Sequence, residues 1–195
     1  MVRSTKAPLV LRAENCLTSE MRIAYADPPY IGRAKAMYAD HPDYKGEVDH
    51  VALIRQLVTE YTDGWALSCS TPTLRFLLNT CATFGAEDVR VSAWVKPWAV
   101  FKPGVSVAYA WEPVLWRGGR KRPRTKGTWR DWVSARAVMS TPGRVQTKGQ
   151  KPETFCFWLF GLFNLEPGDE LVDLYPGSGA VARAWEKWQR QLWAA

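Results

Sequence analysis

Strands and helices alternate along this chain, which predicts an α/β fold with a mostly parallel sheet. Three observations carry that expectation. Short apolar stretches at residues 21–26, 65–69 and 170–174 have the length of buried strands, and segments between and after them carry apolar residues at helical spacing. The chain has no internal repeats and no low-complexity tracts. With 195 residues and 47% hydrophobic content it can bury most of its surface around one core, so a single domain over 1–195 is expected.

The first strand, 21–26, runs into Asp27-Pro28-Pro29-Tyr30 and then a polar loop over 31–47 containing Arg33, Lys35, His41 and Tyr44. A helix is expected over 49–61, with Leu53, Ile54, Leu57, Val58 and Tyr61 on one face. A short buried strand follows at 65–69. Thr71 and Pro72 suit the start of a second helix, as N-cap and first-turn residue, leading through Leu74, Leu77 and Leu78 towards Thr83. Residues 89–95 alternate with period two, as a half-buried strand does. Residues 106–116 read as a strand pair or one bent strand broken by Pro113. The stretch 117–126 concentrates Arg117, Arg120, Lys121, Arg122, Arg124 and Lys126 among Gly and Pro without an apolar period, and opens a basic, flexible insertion expected over 117–150. An apolar helix at 155–165, a turn at 166–169, a strand at 170–174, a tight turn at 175–179 and a helix from Ala180 complete the chain, the last with Val181, Trp185, Trp188 and Leu192 on one face.

Two segments carry chemistry. In Asp27-Pro28-Pro29-Tyr30 the prolines donate no backbone hydrogen bonds, so the flanking carbonyls are left as acceptors beside a carboxylate and an aromatic ring. Such a ledge suits an amino group: Asp27 can accept one N–H and the Pro28 carbonyl the other, while Tyr30 stacks on the attached ring. The same residue types also punctuate ordinary surface turns. In Tyr175-Pro176-Gly177-Ser178-Gly179, between a strand and a helix, the glycines permit a sharp turn and close approach to a ligand, and the helix start offers N–H donors to a carboxylate or phosphate. A plain strand-to-helix turn would look similar.

Together the two segments resemble the permuted (beta-type) amino-methyltransferases, the DNA N6-adenine and N4-cytosine enzymes. In that family an early DPPY motif is followed later by a Lys-Pro pair, a helix, a strand ending in Asp and a Gly-Ser-Gly loop. Lys151-Pro152, the helix after it, Asp173 and Gly177-Ser178-Gly179 stand in that order here. The resemblance implies a Rossmann-like methyltransferase fold, circularly permuted and shortened, with S-adenosylmethionine as cofactor. It implies that Asp27, Pro28, Pro29 and Tyr30 hold the target amine and base, and that Lys151, Asp173, Tyr175, Gly177, Ser178 and Gly179 lie along the cofactor. Asp at the first motif position looks like the adenine-modifying members, so the implied substrate is adenine in DNA; the alternatives are adenine in RNA, N4 of cytosine in DNA, or a catalytically inactive nucleic-acid-binding protein that keeps the methyltransferase shell. The chain departs from the family in stopping soon after the first cofactor helix, which removes the strand whose acid grips the ribose. Arg12-Ala13-Glu14-Asn15-Cys16 is a candidate substitute. The trimmed form suggests a phage or mobile-element origin.

The balance of 26 Lys and Arg against 19 Asp and Glu gives +7, and the excess is concentrated in the 117–126 run. Beside a base-modifying pocket those cations, with Arg33 and Lys35, suit the nucleic-acid backbone. The target nucleotide must leave the duplex to reach such a pocket, and the loop 31–47 is placed to close over it. Tryptophan is over-represented, at 11 residues; Trp94, Trp111, Trp185 and Trp188 read as packing residues, while Trp98, Trp129 and Trp132 are open to base stacking. Cys16, Cys69, Cys81 and Cys156 are scattered and read as buried thiols, and His41 and His50 as surface or loop residues; no metal site is expected. No apolar run would span a bilayer and no leader pattern is present, which with the cysteine usage predicts a cytoplasmic protein; it is expected as a monomer, or as a homodimer in which a second subunit completes the cofactor pocket.

Overall fold

The computed structural model describes residues 19–35, 39, 46–97, 104, 106–138 and 150–193. Six strands, β1 Arg22–Ala26, β2 Gly64–Ser68, β3 Arg90–Val95, β4 Trp111–Gly118, β5 Trp132–Ser134 and β6 Glu170–Asp173, form one sheet in the order β5-β3-β4-β2-β1-β6. β1 pairs in parallel with β2 and β6, and β3 with β5, while β4 runs against both β2 and β3. All strands but β4 therefore point the same way. Among the described residues, four helices of ten or more residues cover the faces: α1 His50–Glu60, α2 Leu74–Thr83, α3 Glu153–Leu162 and α4 Ala180–Trp193.

Strand alternation sorts the core into two halves. Ile23, Tyr25, Ala66, Trp94, Val114 and Trp116 face α3 and α4, packing on Phe155, Phe160, Phe163 and Val181. Ala24, Ala26, Trp65, Leu67 and Leu115 face α1 and α2, packing on Ile54, Leu57 and Leu77. Every residue of β2 is buried, as expected of a strand covered on both sides. Among the described residues, no helix is long and apolar enough to cross a membrane.

Several local expectations change. Asp49 caps α1 by accepting from the Val51 and Ala52 N–H groups, which draws His50 into the protein as a buried residue whose Nδ1 lies 2.9 Å from the Val48 carbonyl. Residues 71–73 form a 3-10 turn preceded by Ser70, so Thr71 is not the cap of α2, which starts only at Leu74. β4 is a single strand that continues through Pro113. The Pro113 carbonyl accepts from the Cys69 N–H, just past the end of β2, so the missing proline donor falls where the ladder has already finished. Trp111, at the start of β4, is 39% exposed and not a core residue. Cys69, Cys81 and Cys156 are buried free thiols.

The basic run is not a loose arm over its described part. Arg117 lies within β4 and pairs with Asp88 at 2.6 Å. Arg122 donates to the Gly161 carbonyl at 2.8 Å, Lys126 pairs with Glu166 at 3.1 Å, and Arg124–Lys126 is a 3-10 turn. Arg120 is bound most tightly. Its guanidinium grips the buried Asp169 carboxylate through two 2.8 Å bonds and also reaches the Asn164 and Ser19 carbonyls. Asp169 in turn accepts from the Met21 N–H at 2.9 Å and the Glu166 N–H at 2.7 Å. Burial would raise this carboxyl, but the Arg120 and backbone donors outweigh it and hold it below the usual range. One carboxylate thus ties the turn before β6, the start of β1 and the segment after β4. Arg120→Ala leaves that charge buried without its partner and is expected to cost about 3 to 5 kcal/mol in urea unfolding; a loss below about 1 kcal/mol would show that the latch is dispensable.

Candidate functional site

Asp27-Pro28-Pro29-Tyr30 begins where β1 ends, and the glycine turn begins where β6 ends. The two strands are parallel neighbours, with Tyr25 opposite Asp173 and the Leu174 N–H donating to the Tyr25 carbonyl at 2.9 Å. Both loops therefore open from the same end of the sheet, side by side, as the sequence reading requires. Asp27 and Asp173 are close enough for the charge of Asp27 to raise the Asp173 carboxyl.

Asp27, Pro28, Pro29 and Tyr30 line a cavity of about 250 Å³ together with Trp94, Lys96, Glu112 and Lys151. Its floor is a chain of alternating charges. Lys151, just before α3, places its buried Nζ 2.9 Å from Asp27 Oδ1 and 3.7 Å from Glu112 Oε2. Lys96 pairs with Glu112 Oε1, and the Tyr30 hydroxyl donates to Glu112 Oε2 at 2.9 Å. Both ammonium groups also lie over aromatic rings, Lys96 over Trp94 at 4.7 Å and Lys151 over Trp94 at 5.2 Å. Burial raises the Asp27 carboxyl above its ordinary value even though Lys151 pulls the other way. Glu112 is also pushed up by burial, but two ammonium neighbours win and hold it low.

Lys151, which the resemblance puts along the cofactor, has its ammonium on Asp27, because a buried cation needs a carboxylate within reach. Sequence reasoning missed Glu112 and Lys96. The usable signal was a lone acid within the apolar stretch Trp111 to Trp116, on the same alternate face as the buried Val114 and Trp116.

In the second loop, the Tyr175 N–H donates to Asp173 Oδ1 at 3.2 Å, while Asp173 Oδ2 is buried without a hydrogen-bond partner among the described residues. Burial, opposed by that N–H and reinforced by Asp27, pushes the Asp173 carboxyl up to about 6. Gly177 and Gly179 have φ of +43° and +69°, values that favour glycine, and the turn is closed by the Gly179 N–H donating to the Pro176 carbonyl at 2.7 Å. The Ser178 carbonyl accepts from Arg183 at 2.8 Å. The burial of Tyr175 raises its hydroxyl.

The predicted nucleic-acid contacts divide. Arg33 and Lys35 are exposed just beyond Tyr30 in the sequence. Arg117, Arg120, Lys121, Arg122, Arg124 and Lys126 are not beside the cavity. β4 runs antiparallel, with Glu112 at the cavity end and Gly118 opposite Gly64 at the start of β2, so the basic run leaves the sheet at its far end. The candidate ribose-binding run 12–16, His41, Trp98 and residues 139–149 lie outside the described residues. Of the loop 31–47, Gly32 and Glu47 are joined by a 3.2 Å bond from the Gly32 N–H to Glu47 Oε2.

The chain matches no protein-family model and no curated protein sequence. Its fold, however, has been seen before. The structure of M1.HpyAVI in complex with SAM is similar, with a TM-score of 0.58 at 13% identity over 87% of this chain and 79% of the other. M1.HpyAVI alone gives 0.56 at 13% identity over 87% and 77%. TTHA0409 of Thermus thermophilus, complexed with S-adenosyl-L-methionine, gives 0.51 at 14% identity over 87% and 78%. These likenesses show that the chain shares the Rossmann-like α/β fold of those structures, with a mostly parallel sheet.

The raised carboxyl of Asp173 has a measurable consequence. Between about pH 4, where a free Asp ionises, and about pH 6, the folded chain holds a proton that the unfolded chain releases. Stability contributed by this group is therefore lost as pH rises through that window. Asp173→Asn is expected to flatten that part of the profile in urea unfolding between pH 4 and 6; an unchanged slope would place the proton elsewhere.

Proposed function

We propose that this chain is an adenine N6-methyltransferase of the permuted amino-methyltransferase type, acting on DNA with S-adenosylmethionine. One observation carries the reading: the Asp27-Pro28-Pro29-Tyr30 ledge and the Asp173–Gly179 turn meet at the carboxyl ends of adjacent parallel strands. The fold likeness to M1.HpyAVI, solved with SAM, and to TTHA0409, a proposed DNA modification methylase also solved with S-adenosyl-L-methionine, supports it.

The residues present fit the cofactor. Asp173 Oδ2 is a buried acceptor with no donor among the described residues, suited to an ammonium group. The left-handed glycines and the start of α4 suit a carboxylate. When bound, S-adenosylmethionine supplies a methyl group on a positively charged sulfur. The chain must make a poor nucleophile attack it. An exocyclic amine donates its lone pair into its ring, so Asp27 and the Pro28 carbonyl each accept one N–H and draw the nitrogen towards a tetrahedral shape. Lys151 already holds Asp27 Oδ1, which leaves Oδ2 to the amine. Methyl transfer would form the N–C bond as the methyl–sulfur bond breaks, with that electron pair left on a neutral thioether, and the surplus N–H proton passes to Asp27, whose raised carboxyl suits it as acceptor. Glu112 fixes the Tyr30 hydroxyl and with it the plane on which the extruded base stacks.

The test is mass spectrometry of nucleosides from DNA incubated with the protein and isotopically labelled cofactor. N6-methyladenine is expected, and Asp27→Ala should lower its formation by about a hundredfold or more while circular dichroism shows the fold retained. Transfer that survives in Asp27→Ala, or a label found only in N4-methylcytosine, would sink the adenine assignment. Transfer should also decline on the acid side at a pH above the ordinary carboxylate range, because Asp27 and Asp173 must both be ionised. Tyr30→Phe keeps the ring and loses the bond to Glu112, a change worth about 1 kcal/mol, or roughly a fivefold loss in kcat/KM.

A further inference from the structure

The chain from 119 to 138 builds a surface that the proposed reaction does not use. It begins at the end of the sheet remote from the cavity, in a hollow of about 510 Å³ lined by Arg90, Lys121, Arg122, Arg124 and Trp129. Trp129 is shared with a second hollow of about 660 Å³ between β5 and α3, where Arg130, Trp132, Phe157 and Trp158 form the walls. Beyond β5, Ala137 and Val138 enter the wall of the cavity that holds Asp27. Because β5 pairs in parallel with the last residues of β3, Trp132 lies near the cavity end of the sheet. At about 3.3 Å per residue, the five steps from Trp132 to Ala137 span at most about 17 Å. The two hollows and the cavity are thus joined by one continuous edge of the molecule.

The chemistry along that edge alternates cation and indole. Trp129 and Trp132 are 40% and 43% exposed, while Trp94 and Trp158 in the core are almost fully buried. Arg122 lies over Trp129 at 4.7 Å and Arg130 over Trp132 at 5.4 Å. Trp129 is held rigidly: its Nε1 donates to the Trp158 carbonyl at 3.0 Å, Trp158 Nε1 donates to the Arg130 carbonyl at 2.9 Å, and the ring sits where a Cβ on Gly161 would collide with it. Lys121 and Arg124 are exposed and make no ion pair among the described residues. Of the acids nearby, Asp131 lines the first hollow, and Glu153 in the second is occupied by Lys187 at 2.7 Å.

We propose that this edge binds a single-stranded stretch of nucleic acid, with phosphates over Lys121, Arg124 and Arg90 and bases against Trp129 and Trp132, and that it leads the strand to the cavity. Fixed aromatic faces between cations suit unpaired bases, whose faces are open, whereas a duplex presents only its charged backbone. An acidic peptide would use the cations and leave the indoles unexplained. The delivery of the strand to the cavity rests on the methyltransferase reading; the binding itself does not.

The experiment is fluorescence anisotropy of the full chain with a labelled oligothymidylate, whose base has no exocyclic amine and so does not occupy the amine seat at Asp27. The protein is expected to bind it more tightly than a duplex of equal length. Trp132→Ala, at an exposed position, should weaken binding about tenfold, with Trp132→Phe intermediate. Replacing both Lys121 and Arg124 by Gln should weaken it and lower the log–log salt slope by about 1.4. Preference for the duplex, or Trp132→Ala binding as well as wild type while the Gln pair alone loses affinity, would reduce the edge to a simple polyanion patch and overturn the proposal. Methyl transfer to DNA without oligothymidylate binding would also overturn it and leave the catalytic reading standing. Tight oligothymidylate binding without methyl transfer to any nucleic acid would keep this surface and remove the catalytic reading.

Discussion

A buried ammonium organises the cavity end of this protein. Lys151 Nζ is almost inaccessible to solvent, and a charge in that position persists only if carboxylates reach it. Asp27 comes to it from the end of β1 and Glu112 from β4, two strands separated by β2. The segment that leads into α3 is therefore fastened to the sheet at two points, while Trp94 and Phe155 provide the rings beneath the cation. Tyr30 takes its orientation from the same Glu112, so the ledge, the stacking ring and the start of α3 form one electrostatic unit. Taking away any one charge would leave the others buried and unbalanced.

Much of this was legible in the sequence because it is local. A strand running into Asp27-Pro28-Pro29-Tyr30 and a strand running into a glycine turn each announce themselves within ten residues, and parallel pairing of β1 with β6 is what an α/β alternation leads one to expect. What was not legible depends on pairing between distant segments. Nothing near Glu112 says that β4 reverses direction, yet that reversal alone brings Glu112 to the cavity and carries Arg117 and Arg120 to the other end. The same reversal turned the basic run from an expected arm beside the catalytic pocket into a packed segment, with Arg120 committed to Asp169. His50 and Trp111 were misplaced for a related reason: exposure is settled by what packs on a residue, and periodicity does not report that.

The two loops at the carboxyl ends of the strands hold their acids uncomfortably. Asp27 and Asp173 are both raised by burial, and the charge of Asp27 disfavours the ionisation of Asp173 further. A protein built only for stability would replace such groups with apolar ones. The contrast with Asp169, at the opposite end of β6, is instructive: that side chain is also buried, but four donors satisfy it and its carboxyl is lowered. Strand β6 thus carries a structural acid before its first residue and an undersatisfied one at its last.

β4 is also the element least able to change its length. Its eight residues bear Glu112 near one end, lead directly to Arg120 beyond the other, and are hydrogen-bonded to a neighbour on each side. Deleting or inserting one residue in its middle would rotate one half of the strand to the opposite face of the sheet. Either Glu112 would leave the ammonium groups or Arg120 would leave its carboxylate, whichever half moved. Variation in loop length among descendants of this chain should accordingly spare the interval between those two residues, and the spacing itself, more than the identity of the apolar residues within it, is what inheritance has to preserve.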